Sequence, residues 1–194
     1  MTKARLEAFS DGVIAIIITI LVLELKVPHG DDWGAVRPLL PVFLTYVLSF
    51  VFIGIYWNNH HHLLHAAERI NGKVLWPNLH LLFWLSLVPF VTGWMGENHF
   101  APVPTAAYGF VLLMAAVAFT ILQAVLTAQQ PERSRLKTAV RDRRKEWLSM
   151  ALYVSAIPLA FVNQWISDAL YVTVALIWLV PDRRMESAIA RGGE

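Results

Sequence analysis

Six apolar runs, separated by short polar segments, dominate the chain. They cover residues 7–27, 39–57, 74–95, 106–128, 147–162 and 169–180. An α-helix rises about 1.5 Å per residue, so about 20 residues cross a hydrocarbon core of roughly 30 Å. The pattern therefore predicts an all-α, polytopic membrane protein of six transmembrane helices, in which residues 1–194 form a single domain. The last two runs are short for a full crossing.

Turn-forming residues mark the boundaries of these runs. Residues 28–32 read P-H-G-D-D and predict a polar loop after the first run, while Pro38 and Pro41 suit the start of the second helix. Pro89 lies inside the third run. Because proline has no backbone N–H to donate, Pro89 predicts a kink in that helix.

The composition agrees with a membrane protein and excludes several kinds of functional site. Hydrophobic residues make up 57% of the chain and charged residues 15%, whereas soluble domains carry about a quarter of charged residues. The chain has no cysteine, which excludes disulfides and thiolate metal sites. No loop exceeds about 20 residues, so no soluble catalytic or nucleotide-binding domain fits between the runs. We therefore expect neither an enzyme nor a cofactor.

The distribution of basic residues predicts the orientation. With six spans and both termini in the cytoplasm, 14 of the 16 lysines and arginines lie on the cytoplasmic side, and only Lys26 and Arg37 lie outside. This asymmetry is the one that the positive-inside rule requires. The basic segment 133–145 then faces the cytoplasm, where contact with anionic lipid is favoured over nucleic acid. We expect a multi-pass protein of the plasma membrane.

The first apolar run carries a narrow stripe of positions. Gly12, Ile16, Thr19 and Leu23 are spaced by four, three and four residues, which places them on one helix face. Around a symmetry axis this face would form a wide mouth at Gly12 and an apolar neck roughly 10 Å long from Ile16 to Leu23. Such necks gate ion flow by dewetting. Spacing alone favours the alternative that the stripe is an ordinary helix-packing face.

The start of the same run carries a motif. It reads Arg5-x-x-x-Phe9-Ser10-Asp11 and is followed by an Ile/Leu-rich helix. Weaker matches lie further along, at Trp57-x-x-His60, at Asn78 and at Pro89-Phe90. With these residues the chain resembles the transmembrane protein 175 family of potassium channels, in its single-repeat prokaryotic form.

The resemblance implies a function and an assembly. It implies a potassium-preferring cation leak channel, with K⁺ as the permeant ion, in which the first helices of four six-span units line the pore. It assigns the constriction to Ile16, Thr19 and Leu23 and couples Arg5, Asp11 and His60, beside Phe9 and Ser10, into a structural network. We therefore expect a homotetramer.

Helical geometry limits how that network can form. Arg5 and Asp11 are six residues apart, so they lie about 120° apart on one helix and cannot pair as neighbours four residues apart do. His60, at the inner end of the second run, has the right depth to bridge them. The alternative is that Asp11 faces water at the inner leaflet.

The segment 60–65 reads H-H-H-L-L-H. His61 and His65 have the spacing of a shared metal site, but the other histidines are isolated in the sequence, so structural histidines at the membrane interface are favoured over a metal site. Two alternatives to a channel remain open: a histidine-metal membrane enzyme and a secondary transporter. A transporter would need a polar site at the membrane midplane, and the first, second and fourth runs have apolar middles.

Overall fold

A computed structural model describes residues 2–68, 70–131, 134, 136–137, 140 and 143–179. Within these residues the chain is helical, as the apolar pattern predicts. The α-helices are α1 (Lys3–Leu23), α2 (Trp33–Val36), α3 (Leu40–Ala66), α4 (Leu75–Ser86), α5 (Val88–Glu97), α6 (Pro102–Ala128), α7 (Arg144–Leu159) and α8 (Gln164–Leu179). Single 3₁₀ turns, Arg37–Leu39 and Gly72–Val74, lead into α3 and α4.

Four segments of the described chain are long and apolar enough to cross a membrane. They are Lys3–Leu23, Trp33–Ala66, Gly72–Glu97 and Pro102–Ala128. The two remaining long helices, α7 and α8, have 16 residues each, and α8 is apolar. The all-α membrane architecture is confirmed, and the full crossing by α7 and α8 stays a prediction.

Helix ends and apolar runs do not coincide. The first run was expected over residues 7–27, but α1 extends from Lys3 to Leu23. The second run was expected to end at residue 57, but α3 continues to Ala66 and carries the histidine-rich segment on its last turns. Hydropathy marks where the lipid contact ends, whereas a helix continues as long as its backbone hydrogen bonds can form. The histidines therefore have a fixed helical geometry.

The third run is interrupted next to Pro89, where the sequence predicts a kink. α4 ends at Ser86 and α5 begins at Val88, with Leu87 between them at φ −84° and ψ −13°. Pro89 lies in the first turn of α5, where its missing N–H costs no helical hydrogen bond. The two short helices together form one candidate span, Gly72–Glu97.

α6 lies at the centre of the described helices. It packs against α4, α5, α7 and α8, and α1 packs on one side against α3, α4 and α5. Small residues allow close contacts between these helices, as is common in membranes. A Cβ atom at Gly96 of α5 would lie 2.7 Å from the Cα of Val42 on α3. At Gly109 of α6 it would overlap with the hydroxyl of Tyr171 on α8.

The contact at Gly96 yields a test of this packing. Gly96→Ala would force α5 away from α3, because the nearest atom on Val42 belongs to the backbone and cannot rotate away. We expect a loss of about 1–3 kcal/mol of stability, seen as a lower melting temperature of the purified protein. The control is Gly72→Ala, where an added Cβ meets nothing within 4 Å. Equal melting temperatures for both variants would contradict the close approach of α3 and α5.

Candidate pore helix and its polar support

α1 has one packed face and one open face. The packed face consists of residues buried against the rest of the chain, namely Leu6, Ser10, Ile14, Ile17 and Leu21. On the open face, Ile16 is 58% exposed and Leu23 is 75% exposed. Ile20 and Val22 flank them at 40% and 47%. Ile16 and Leu23 are therefore the most exposed large hydrophobic side chains of α1, and each has more than half of its surface accessible in the single subunit.

Gly12 and Thr19 complete the stripe. A Cβ atom at Gly12 would meet nothing within 4 Å, so the backbone is open there. The hydroxyl of Thr19 donates a hydrogen bond of 2.8 Å to the carbonyl oxygen of Ile16. Because the hydroxyl hydrogen points to the backbone, the lone pairs of Oγ1 face outward. Thr19 thus presents an acceptor oxygen between two apolar side chains.

Behind the open face, a buried hydrogen-bonded chain joins three helices. Asn78 on α4 donates from Nδ2 to Oγ of Ser10 on α1 at 2.9 Å, and its Oδ1 lies 2.8 Å from Nε2 of His60 on α3. All three residues are fully buried. An amide oxygen only accepts, so Nε2 of His60 carries the hydrogen. We call Ser10, Asn78 and His60 the polar triad.

Asp11 has a hydrogen-bond partner that the sequence did not single out for it. Its Oδ1 accepts a hydrogen bond of 3.1 Å from Nε1 of Trp57. Arg5 and Phe9 are exposed at the surface of the subunit. In the part of the chain that the structure describes, Arg5 bonds neither to Asp11 nor to His60. A network that includes Arg5 would therefore have to form with another subunit, and it stays a prediction.

The structure brings together Ser10 and His60 through a residue that the sequence singled out only weakly. In the sequence, Asn78 is one of several minor motif matches. An amide side chain inside an apolar span is, however, itself an indication of buried hydrogen bonds. A buried amide in lipid costs free energy unless its polar atoms are paired. Asn78 should therefore have been expected to join polar residues of two other helices.

Polar contacts also hold the chain at both ends of α1. At the N-terminal end, Nζ of Lys3 donates to the carbonyl oxygens of His65 and Ala67 at 2.9 and 3.1 Å, where a cation is favoured by the C-terminus of α3. Beyond the C-terminal end, Lys26 pairs with Glu97 at the end of α5. The hydrogen bond to Glu97 raises the pKa of Lys26.

The histidine-rich turns of α3 form a stack of rings. The ring of His61 lies 6.0 Å from that of Trp57 and 6.0 Å from that of His65, in parallel orientation. Among the described residues, no group of three histidine, aspartate or glutamate side chains is placed to hold a metal ion. The stack extends the contact that Trp57 makes with Asp11.

The polar triad yields a prediction. Asn78→Ala removes the central member and leaves a buried hydroxyl at Ser10 and a buried ring nitrogen at His60 without their partner. We expect a loss of about 1–3 kcal/mol for each unpaired group, measured as a lower melting temperature of the purified protein. The matched control is Asn58→Ala at an exposed position of α3. A triad variant as stable as the control would show that the hydrogen bonds do not hold α1.

Comparison with known proteins supports the resemblance. A family model described as endosomal/lysosomal potassium channel TMEM175 matches residues 5–89. A potassium channel of Chryseobacterium sp. (strain P1-3) is 54% identical over 189 residues, which are 97% of this chain and 98% of that protein. A potassium channel of Streptomyces collinus is 34% identical over 187 residues, 91% of each chain.

A solved structure agrees with these relatives. The crystal structure of a lysosomal potassium-selective channel TMEM175 homolog from Chamaesiphon minutus matches with a TM-score of 0.78 and 29% identity, over 92% of this chain and 96% of that chain. The family and these relatives are channels and not enzymes. With near full-length identity of 54% to a named potassium channel, the chain belongs to the TMEM175 family of potassium channels.

Proposed function

We propose that this chain forms a homotetrameric, potassium-preferring leak channel in which α1 of each subunit lines the pore. The observation that carries the proposal is the open face of α1, whose stripe residues Ile16 and Leu23 are 58% and 75% exposed in the single subunit. A single copy of a narrow stripe cannot enclose an ion path, so the pore requires several subunits. The number four follows the family resemblance.

The way α1 packs supports its position at the axis. α3, α4 and α5 cover one side of α1 only, and the polar triad fixes the rotation of the helix by attaching Ser10 to that side. In this proposal, the opposite side of α1 faces the pore axis. In the tetramer, Gly12 forms the inner mouth of the pore, because a position without a side chain leaves the widest opening.

The neck is formed by Ile16, Thr19 and Leu23. Over roughly 10 Å, branched apolar rings at each end resist water, and a cation must shed part of its hydration to pass. Potassium holds its hydration less tightly than sodium, so an apolar neck favours potassium. The outward lone pairs of Thr19, whose hydrogen is bonded to Ile16, supply a ring of oxygens that replaces some of the lost water.

The charged residues around the triad support assembly in this proposal. Asp11 lies off the stripe, and Trp57 already occupies one of its oxygens. The exposed side chain of Arg5 is free to meet the carboxylate of a neighbouring subunit near the inner leaflet. Arg5, Asp11 and His60, with Phe9 and Ser10 beside them, then hold the helices around the pore and do not conduct.

The neck is tested by shortening its side chains. Ile16→Ala should admit water, raise potassium flux and reduce the preference for potassium over sodium, because the barrier is dehydration. Thr19→Val keeps the shape of the neck but removes the oxygens, so flux should fall or the potassium preference should weaken. Both effects are measured by ion flux into liposomes with potassium and sodium exchanged.

A control lies two residues along the same helix. Ile18 is half-buried against the core, off the stripe, so Ile18→Ala removes the same atoms without opening the neck. Ile17 is a poorer control, since it is only 3% exposed and its truncation would destabilise the subunit. Equal changes in selectivity for Ile16→Ala and Ile18→Ala, or none for either, would mean that another face lines the pore.

Six spans and cytoplasmic termini complete the proposal, and cysteine labelling tests them. The natural chain has no cysteine, so single cysteines at Asp31, Lys73 and Gly192 report their own location. An impermeant thiol reagent applied to intact cells should label only the Asp31→Cys variant. Labelling of Gly192→Cys from outside would mean that one of the two short C-terminal helices does not cross the membrane.

A further inference from the structure

An ionisable residue that the proposed pore does not use lies in α8. Asp168 has both carboxylate oxygens buried, and neither oxygen has a hydrogen-bond partner within the described residues. A buried polar group without a hydrogen-bond partner is rare in folded proteins and calls for an explanation. What surrounds Asp168 decides what it can bind.

The helices around Asp168 supply no counter-charge. α8 packs against α3, α6 and α7. α3 and α6 contain no aspartate, glutamate, lysine or arginine, and the histidines of α3 lie at its inner end. The charged residues of α7, from Arg144 to Glu146, occupy its first turn, whereas the other end of α7 leads into α8. In the adjoining outer loop, His99 is exposed and Glu97 is paired with Lys26.

The titratable groups that face Asp168 are phenols. Tyr108 on α6 and Tyr171 on α8 lie within electrostatic range of its carboxyl group, and the ring of Tyr153 on α7 lies 6.3 Å from that of Tyr171. Two of these hydroxyls are already engaged. Tyr171 donates to the carbonyl oxygen of Thr105 at 3.0 Å, and Tyr108 bonds to the hydroxyl of Ser49 at 2.9 Å.

The backbone of α8 does little to stabilise a charged carboxylate at Asp168. The first turn of α8 contains no acidic residue, so Asp168 lies beyond the free N–H groups of the helix start, and the favourable field of a helix N-terminus decays within that turn. A charged carboxylate at this place would be desolvated without a donor or a cation, which is strongly unfavourable. A bound proton removes the charge and, unlike a metal ion, needs neither space nor further ligands.

We propose that Asp168 is a proton-binding site between α6 and α8 that holds its proton at neutral pH and releases it only at the expense of subunit stability. The site is independent of which helix lines the pore, because it depends only on packing within one subunit. In the unfolded chain the same carboxyl group loses its proton at lower pH. Stability is therefore highest under acidic conditions, falls as the pH rises above the range where the unfolded chain loses the proton, and levels off once the folded protein has lost it too.

The test compares melting temperatures of the purified channel from acidic to alkaline pH. Asp168→Asn has nearly the same shape and imitates the protonated form. We expect it to melt with the wild type at acidic pH and about 2–4 °C above it at alkaline pH. The control is Asp31→Asn in the exposed outer loop, which should follow the wild type at every pH.

A spectroscopic measurement makes the proposal independent of the variant's folding. Infrared spectra of the wild-type channel at neutral pH should contain the carbonyl stretch of a protonated carboxyl group, and Asp168→Asn should lack it. Absence of that band in the wild type would overturn the proposal. So would equal pH profiles of melting for the wild type and Asp168→Asn, or a variant that is less stable by the same amount at every pH.

Discussion

The hydrogen bonds among Ser10, Asn78 and His60 are the constraint on which the rest of the subunit depends. They lie in the interior of the subunit, where lipid cannot supply a hydrogen-bond partner. Each polar atom must therefore be paired within the protein. Asn78 bonds to α1 and α3 from α4 at 2.9 and 2.8 Å, and this fixes the rotation of α1 about its axis. Rotation of α1 by one residue, about 100°, would bury Asp11 in place of Ser10 and break the hydrogen bond from Asn78 to α1.

Once the rotation of α1 is fixed, its two faces have different surroundings. Ile14, Ile17 and Leu21 are buried in the subunit core, and the stripe from Gly12 to Leu23 is left for contact with other subunits or with ions. The ends of the helix are held by Lys3 on the C-terminus of α3 and by the ion pair of Lys26 with Glu97. A helix that is held so firmly suits the role proposed for α1, in which the width of the neck would decide which ions pass.

The sequence predicted the architecture well because the forces concerned are local. Apolar runs of about 20 residues must be helices in lipid, and Pro89 breaks its helix for a reason that lies in the proline ring itself. The partners of the polar residues were less predictable, because they depend on which helices become neighbours. Thus no sequence pattern indicated that Trp57 donates to Asp11, and the coupling of Asp11 with His60 stays a prediction. Likewise, helix periodicity could not say that Gly96 allows α5 to touch the backbone of α3.

The central claim is that the stripe on α1 faces the pore axis of an assembled channel. An electron cryomicroscopy structure of the channel in lipid nanodiscs with potassium would test it directly. The account predicts four subunits around one axis, with Ile16 and Leu23 as the side chains nearest to that axis and with the hydrogen bonds of Asn78 intact. A structure in which another helix surrounds the axis, or in which Ile16 and Leu23 face lipid, would contradict it.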